Sequence, residues 1–251
     1  MLSSPSAVVA DPNGGLWIAD TGHGRVLGAS STGEVHAVLT GGMIEPRDVA
    51  VDAEARRIYV ADPSAGAIFV FDRGEDAVAT LDCDIDAPAA VAIDEFARVV
   101  YAVAGDGAVL RAPLGGGAAE PLGLDATRVV LAPDRTALYA TDGDAVYALD
   151  LANRERRLLA RIPGARLAGL VVTPAGVAAA DPGRSAIVGV NPRHGTTATI
   201  WTAGLAAPAG VAFDRISKTY VIADTGHGRV VRVARDISGV QEIVLSSGDP
   251  V

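Results

Sequence analysis

The string Asp-Thr-Gly-His-Gly-Arg-Val occurs twice, at residues 20–26 and 224–230, and it gathers side chains that could do chemistry. An imidazole near a carboxylate can bind a metal ion or exchange a proton close to neutral pH. His23 and His227 are therefore secondary candidates for a functional site. The alternative is a structural turn, in which the Asp accepts backbone N–H groups of its own turn and the glycines adopt positive φ. We adopt the structural turn as the working interpretation.

The second candidate set contains three arginines. Arg47, Arg128 and Arg166 stand at or just before apolar runs, and Asp48 and Thr127 lie beside two of them. A guanidinium group is suited to bidentate recognition of a carboxylate or a phosphate. These five residues therefore predict a site for a small anionic ligand. Pairing of the arginines with acidic residues of the same fold is the alternative, because a buried guanidinium needs a negative partner.

Three aspartates alternate in one stretch, at Asp82, Asp84 and Asp86. Alternate side chains of an extended chain point the same way, and hard divalent cations prefer carboxylate oxygens. The stretch lacks the turn Gly and the closing Glu of a calcium loop. We predict no bound metal and no cofactor, and keep these three residues as minor metal candidates.

All these residues belong to a repeat. Both copies of the string follow an apolar run, and weaker copies of that run recur between them. The positions that close the runs are Asp20, Asp62, Ala104, Asp142, Asp181 and Asp224. Successive positions are 42, 42, 38, 39 and 43 residues apart. A period near forty with short β-type runs predicts six propeller blades, each a four-stranded sheet that must stack on its neighbours.

The predicted fold class is therefore all-β, a six-bladed β-propeller of four-stranded antiparallel blades. Almost no helix is expected, because no segment keeps a 3.6-residue apolar period. In the last blade we expect strands at residues 210–213, 219–223, 229–233 and 241–245. The blades span approximately residues 5–41, 46–83, 88–122, 126–160, 166–202 and 208–246 of a single domain over residues 1–251. No strand exchange between the first and last blades is evident, and only residues 1–4 or 246–251 could supply one.

The candidate residues should meet at one end of this ring. In a propeller, the turns after the second strands and the links between blades lie on the same face, around the central opening, where ligands are expected. We call this end the upper face. Arg25 and Arg229 belong to its turns, and we expect each of them to bridge to an Asp of an adjacent blade.

The last blade resembles the NHL-repeat propellers. The family pattern is roughly Pro-x-Gly-Val-Ala-x-Asp followed by Tyr-Val-Ala-Asp-Thr-Gly-Asn-His-Arg-Val, and residues 208–214 and 220–230 match it. Blades 1, 2 and 6 match well, whereas blade 3 has Ala104 in place of the Asp and blades 4 and 5 lack the opening Pro. The resemblance implies a six-bladed propeller. NHL propellers include enzymes, protein-binding modules and RNA-binding modules, so the resemblance leaves the function open.

A second resemblance is limited to strands. Residues 131–142 are similar to a segment of the gluconolactonase and strictosidine-synthase-like propellers. In gluconolactonases a metal-binding Asn opens this blade, an Asp opens the next blade and a Glu precedes the first inner strand. The matching positions here are Thr127, Ala168 and Ser3. The resemblance therefore implies the strand geometry without the metal ligands.

Composition limits the partners. The chain has 30 acidic and 21 basic residues, a net charge of -9, and that field opposes a polyanion. We predict no nucleic-acid partner, and no membrane partner because no run approaches the roughly 18 apolar residues of a span. Cys83 cannot form an internal disulfide, and the N-terminus does not resemble a signal peptide. We expect a cytoplasmic monomer.

Two functions remain open. The first is a binding module that presents a rigid upper face to a protein, a peptide or a small anionic ligand, and it is favoured because the sequence assembles no recognisable catalytic set. The second is a propeller enzyme of lyase, hydrolase or cyclase type that acts on a small anionic substrate in the central funnel. A deep funnel in which Arg47, Asp48 and Arg128 converge would favour the enzyme. An upper face plugged by Ala and Val would favour the binding module.

Overall fold

Six antiparallel sheets of four strands form a closed ring, which confirms the predicted six-bladed β-propeller. The computed structural model describes residues 1–52, 54, 56–73, 78–234, 241–243 and 245–247. In each blade the first strand is innermost and the others follow outward in chain order. The inner strands contact one another in blade order, and the inner strand of blade 6 contacts that of blade 1.

The strands of the blades are as follows. Blades 1 to 3 contain β1 (Pro5–Ala10), β2 (Leu16–Asp20), β3 (Arg25–Ala29), β4 (Glu34–Leu39), β5 (Asp48–Asp52), β6 (Arg57–Asp62), β7 (Ala67–Asp72), β8 (Val78–Thr80), β9 (Ala90–Asp94), β10 (Val99–Val103), β11 (Ala108–Pro113) and β12 (Glu120–Asp125). Blades 4 to 6 contain β13 (Arg128–Leu131), β14 (Ala137–Asp142), β15 (Ala145–Asp150), β16 (Arg156–Arg161), β17 (Leu170–Thr173), β18 (Gly176–Asp181), β19 (Ala186–Val190), β20 (Thr197–Trp201), β21 (Gly210–Asp214), β22 (Thr219–Asp224), β23 (Arg229–Val233) and β24 (Gln241–Ile243). The strands predicted for the last blade agree with these bounds to within two residues at each end.

Helical structure is confined to short turns in the described part of the chain. Three single 3₁₀ turns occur, at Thr21–His23, Pro182–Arg184 and Thr225–His227, each directly after a second strand. None of the helices within the described residues is long and apolar enough to cross a bilayer.

The hydrophobic core lies between neighbouring blades. Six clusters of buried side chains each join two adjacent blades. The residue three positions before the close of each second strand reaches into the gap toward the next blade, and it is aromatic in blades 1 to 4 but small in blades 5 and 6. In blade order these residues are Trp17, Tyr59, Tyr101, Tyr139, Ala178 and Val221. An aromatic side chain buries roughly 150–250 Å², so Trp17, Tyr59 and Tyr101 each fill much of a gap, whereas Tyr139 is only partly buried.

The ring is closed by the end of the chain. A short strand, β25 (Ser246–Ser247), pairs in parallel with β4 and adds a fifth strand to the outer edge of blade 1. The pairs are Ser246 with Glu34 and Ser247 with Val35. Each blade keeps four strands of its own, and the chain end adds a strand to blade 1 without exchanging one, at one of the two places that the sequence allowed. Residues 248–251 lie outside the described part of the chain.

Candidate functional site

Buried aspartates of the repeat hold the upper face together. The Asp that closes the second strand is fully buried in blades 1, 2, 5 and 6. In each case one carboxylate oxygen accepts a backbone N–H of the link that leads into the same blade. The donors are Ser3 to Asp20 at 2.7 Å, Ile44 to Asp62 at 2.6 Å, Arg166 to Asp181 at 3.3 Å and Ala206 to Asp224 at 2.6 Å. We call these contacts the aspartate bridges, and they fix the links because hydrogen bonds to a carboxylate are stronger than neutral ones.

His23 and His227 lie in equivalent places within their turns. The Nδ1 atom of His23 is 2.8 Å from Oδ2 of Asp20, and Nε of Arg25 donates to the same oxygen at 2.8 Å. The corresponding distances in blade 6 are 2.8 and 2.9 Å. The structure thus gives both imidazoles a carboxylate partner inside their own turn.

Two details of the predicted turn are wrong. Asp20 makes no capping bond within its turn and bonds the link at Ser3 instead. Arg25 pairs with Asp20 of its own blade rather than with an Asp of an adjacent blade, because the two residues are directly opposite in the register of β2 and β3. Asp224 and Arg229 repeat both features in blade 6.

The prediction of positive φ is right for two of the four turn glycines. Gly24 has φ 59° and Gly228 has φ 62°. Gly22 and Gly226 do not have positive φ, and they are small for another reason. A Cβ on Gly22 would lie 2.3 Å from Oγ of Ser3, and one on Gly226 would meet the equivalent link backbone. These glycines allow the link to approach closely enough for the aspartate bridge.

A channel of about 330 Å³ runs along the axis of the ring between the six inner strands. Its wall consists mainly of Val, Ala and Leu side chains. Asp48 and Arg128, the first residues of β5 and β13, line its upper mouth, and Arg215 lines its other end. The channel is therefore an apolar passage with charged side chains at its ends.

Arg128 spans the upper mouth. Its Nη1 donates to the carbonyl of Ala89 at 2.5 Å and its Nη2 to the carbonyl of Arg47 at 3.0 Å. The Asp48 carboxylate accepts the N–H of Val91 at 3.0 Å. Burial raises the pKa of Asp48, and the charge of Arg128 and the backbone donors oppose that shift only in part. The mouth thus holds a cation bonded to two neutral carbonyls, beside a carboxylate whose charged form is disfavoured.

The other three predicted residues do not line the channel. Nη2 of Arg47 lies 3.8 Å from Oε2 of Glu45, and both side chains are about half exposed. The Thr127 hydroxyl donates to a backbone carbonyl of β14 at 3.0 Å. Arg166 is exposed, and its backbone N–H forms an aspartate bridge. The structure brings Asp48 and Arg128 together and separates them from the guanidinium groups of Arg47 and Arg166.

The three alternating aspartates of the link between blades 2 and 3 are all exposed. Ile85 is buried between the exposed Asp84 and Asp86, so exposed and buried side chains alternate here as the sequence pattern indicated. Within the described part of the chain, no three His, Cys, Asp or Glu side chains are grouped so that they could hold a metal ion.

Exposed acidic side chains predominate in one arc of the upper face and basic side chains in another, although Arg47, Arg128 and Arg161 lie in the blades of the acidic arc, and the sequence analysis missed this distribution. The acidic arc follows the links and turns of blades 2 to 4, and its residues are exposed. It consists of Asp82, Asp84, Asp86, Asp106, Asp125 and Asp142. The basic arc follows blade 5, blade 6 and blade 1. It consists of Arg166, Arg184, His227, Arg229, His23 and Arg25. The sequence positions of the links and turns, taken blade by blade, would have revealed this separation.

The two arcs differ in how their charges are paired. Most side chains of the basic arc contact the buried aspartates of the bridges. Within the described residues, no carboxylate of the acidic arc takes part in an ion pair. The carboxylates of the acidic arc are thus exposed and have no ion-pair partner among the described residues.

Comparison with known proteins supports the fold. The family model described as NHL repeat matches residues 2–28, which contain the first two strands of blade 1. A structure of a nidogen/laminin complex is similar, with a TM-score of 0.76, 19% identity, and coverage of 86% of this chain and 88% of that chain. Hydrazine synthase of Kuenenia stuttgartiensis has a TM-score of 0.67 at 19% identity, covering 94% of this chain and 78% of that chain. A protein of unknown function from Bacteroides thetaiotaomicron VPI-5482 has a TM-score of 0.75 at 13% identity, covering 92% and 69%. No curated protein matches the chain.

Proposed function

We propose that this six-bladed propeller, with an NHL repeat in its first blade, is a binding module that holds a protein partner against its upper face. The single observation that carries the proposal is the acidic arc, six exposed carboxylates that form no ion pair with a described residue. The expected partner presents Lys and Arg side chains to this arc. A similar propeller occurs in a nidogen/laminin complex, which is a precedent for a protein partner on this fold.

The rigidity of the upper face supports this function. The aspartate bridges fix the links of four blades before any partner arrives. A preformed surface loses little conformational entropy on binding, so more of the contact energy appears as affinity. Loops that are held in this way suit recognition of a folded surface with a fixed arrangement of charges.

The size of the acidic arc supports a macromolecule over a small cation. Its residues extend from the link between blades 2 and 3 to the second strand of blade 4. An exposed ion pair contributes only about 0.2–1 kcal/mol, so useful affinity requires several such pairs at once. Opposite charge on the partner would also speed the encounter and make it salt-dependent.

A peptide-display selection tests the proposal without a known partner. A random library is selected on the wild-type protein, and the enriched peptides are then measured on the triple variant Asp82→Asn, Asp84→Asn, Asp86→Asn. We expect the enriched peptides to be rich in Lys and Arg and to bind the variant at least about tenfold more weakly. The matched control neutralises three exposed carboxylates away from the upper face, as Glu34→Gln, Glu54→Gln, Glu155→Gln. Equal binding to both triple variants would overturn the proposal.

Binding of a small anion at the channel mouth is the second candidate function. An enzyme that acts on an anionic substrate would use the same site. The observation that favours it is Arg128, which lies over the channel and beside Asp48. A guanidinium group has five N–H donors, and the two bonds to carbonyls use two of them, so three remain without an acceptor among the described residues. Arg47 does not converge on this place, which weakens the case for an enzyme relative to the binding module.

A further inference from the structure

The two ends of the axial channel differ in how open they are. At the upper end of four inner strands the residues are small and buried, namely Ala7, Ala90, Gly169 and Gly210. A Cβ on Gly210 would lie 2.8 Å from Cα of Ala7, and one on Gly169 would lie 2.7 Å from Cα of Gly210. The inner strands of blades 5, 6 and 1 therefore meet closely there. On the other side of the upper mouth, Arg128 bridges from blade 4 to the links of blades 2 and 3.

The lower end of the channel is open and apolar. One half-buried residue of each inner strand lines it, and we call these six residues the lower ring: Ala10, Val51, Ile93, Leu131, Val172 and Phe213. In four blades the next residue is an Asp, at positions 11, 52, 94 and 214, and none of these four lines the channel. Successive side chains of a strand point in opposite directions. The lower ring therefore presents hydrocarbon to the channel, and the carboxylates face away from it.

Arg215 places a positive charge at this apolar end, where it lines the channel. Its side chain is exposed and forms no hydrogen bond or ion pair with a described residue. The neighbouring carboxylate of Asp214 is already held by Nη1 of Arg232 at 2.8 Å and by the hydroxyl of Ser217 at 2.6 Å. The guanidinium group of Arg215 can therefore bind an external carboxylate through two parallel hydrogen bonds.

The dimensions of the channel suit a straight alkyl chain. All six inner strands line it, and its volume of about 330 Å³ is within the range of ligand cavities, about 300–1,000 Å³. From Val51 in the lower ring to Asp48 at the upper mouth, β5 advances about 10 Å, at about 3.3 Å per residue. An extended alkyl chain advances about 1.3 Å per carbon, because its staggered C–C bonds are about 1.5 Å long. The channel is therefore long enough for about eight carbons.

We propose that the channel binds a straight-chain carboxylate of about eight carbons, which enters from the lower face. Its alkyl chain lies between the inner strands, where burial removes apolar surface from water. Its carboxylate stays at the lower mouth, where it keeps part of its hydration and gains charge-assisted hydrogen bonds from Arg215. This site is independent of the acidic arc, and it differs from the anion site at the upper mouth because Arg128 lies at the opposite end of the channel.

A chain-length series tests the alkyl part of the proposal. Butanoate, hexanoate, octanoate, decanoate and dodecanoate are titrated into the wild-type protein by calorimetry. We expect affinity to increase about fourfold for each added methylene group up to about eight carbons, and to level off beyond that length. Octanoate binding should have a negative heat capacity change, because apolar surface is buried. No binding of octanoate, or an affinity that does not depend on chain length, would overturn the proposal.

Two variants test the two parts of the site separately. Arg215→Met should bind octanoate at least about tenfold more weakly than wild type. Lys218→Met is the matched control and should bind like wild type, because Lys218 is in the same turn but does not line the channel. Val172→Phe narrows the lower ring and should weaken octanoate binding to a similar extent. Thermal melting establishes that each variant is folded, and a folding defect in one leaves the other to decide.

The position of the carboxylate is tested by two further measurements. 1-Octanol has the same chain without the charge, so it should bind wild type and Arg215→Met equally. Octanoate should keep its affinity in Arg128→Met, because that guanidinium group lies at the upper mouth. Equal octanoate binding by wild type and a folded Arg215→Met protein would overturn the proposal. A loss in Arg128→Met that Arg215→Met does not share would overturn the proposed orientation of the chain.

Discussion

Oδ1 of Asp224 accepts a 2.6 Å hydrogen bond from the backbone N–H of Ala206, eighteen residues earlier in the chain. The same carboxylate receives His227 and Arg229 on its other oxygen. One fully buried side chain therefore joins a link, a turn and a third strand. Asp224 therefore stabilises the fold by holding these three segments together.

Replacement of this Asp should lower the stability of the propeller. Asp224→Ala leaves the backbone N–H of Ala206 and the Nε–H of Arg229 without their acceptor, and we expect a loss of about 1–3 kcal/mol. Asp142 closes the second strand of blade 4 but is exposed, so Asp142→Ala is a matched control, with an expected effect within about 0.5 kcal/mol. Urea and thermal unfolding measure both. An Asp224→Ala protein that unfolds like wild type while losing a binding activity would identify the residue as functional.

Acid stability should depend on Asp214. Burial alone would raise the pKa of this carboxyl, but hydrogen bonds from Ser217 and Arg232 outweigh it and lower the pKa to about 2. A folded-state pKa below the unfolded value of about 3.9 gives stability that is present above about pH 4 and lost as the pH falls toward 2. The stability difference between wild type and Asp214→Asn should therefore shrink over this window. Unfolding at a series of pH values checks it, and a difference that stays constant from pH 5 to pH 2 contradicts it.

Anion binding at the channel mouth should require Arg128 and not Arg47. With sulfate and acetate as probes in calorimetry, Arg128→Met should lose about 1.5–3 kcal/mol of binding free energy. Arg47→Met is the control and should bind like wild type, because its guanidinium group lies beside Glu45.

The same site should respond to pH through Asp48. Burial raises the pKa of this carboxyl, so it becomes neutral at a higher pH than an ordinary Asp and then no longer repels an anion. Affinity should rise as the pH falls, and Asp48→Asn should bind more tightly than wild type at neutral pH. Wild-type affinity in Arg128→Met would show that the mouth is only structural.

Removal of divalent metal should leave the melting temperature unchanged. The link of Asp82, Asp84 and Asp86 lacks the closing Glu of a calcium loop, and a structural metal would contribute directly to folding. Thermal melting with and without EDTA tests this expectation. A decrease of several degrees that calcium or magnesium restores would identify a metal site.

The sequence predicted the architecture because the repeat imposes one pattern on every blade. It could not predict which arginine enters the channel, since this depends on where each strand begins. Asp48 opens β5 and faces the channel, so its neighbour Arg47 must face the other way. Arg128 opens β13 itself and faces inward. A shift of one residue in the start of β5 would have turned Arg47 toward the channel and Asp48 away from it.

The partners of the turn residues were also beyond the sequence. The acceptor role of Asp20 was predicted, but its donor lies in the link at Ser3, and link geometry is set by the approach of two blades. The residue three positions before the end of the second strand is aromatic in blades 1 to 4, but Ala178 and Val221 stand there in blades 5 and 6. Whether a small side chain at this position leaves a cavity depends on the facing residues of the neighbouring blade, which the repeat pattern does not identify.

The aspartate bridges also bear on how the protein emerges from the ribosome. In four blades the carboxylate that fixes a link belongs to the blade that follows that link, and it ends that blade's second strand. In these four blades the link can thus be fixed as soon as about half of its own blade has been synthesised, before the next blade is made. Blade 3 has Ala104 at this place and blade 4 has an exposed Asp142. Blades 3 and 4 therefore lack an aspartate bridge of their own, and their links depend on contacts with the blades that are synthesised before and after them. During translation, blades 1, 2, 5 and 6 would each form their own aspartate bridge, and blades 3 and 4 would become ordered last.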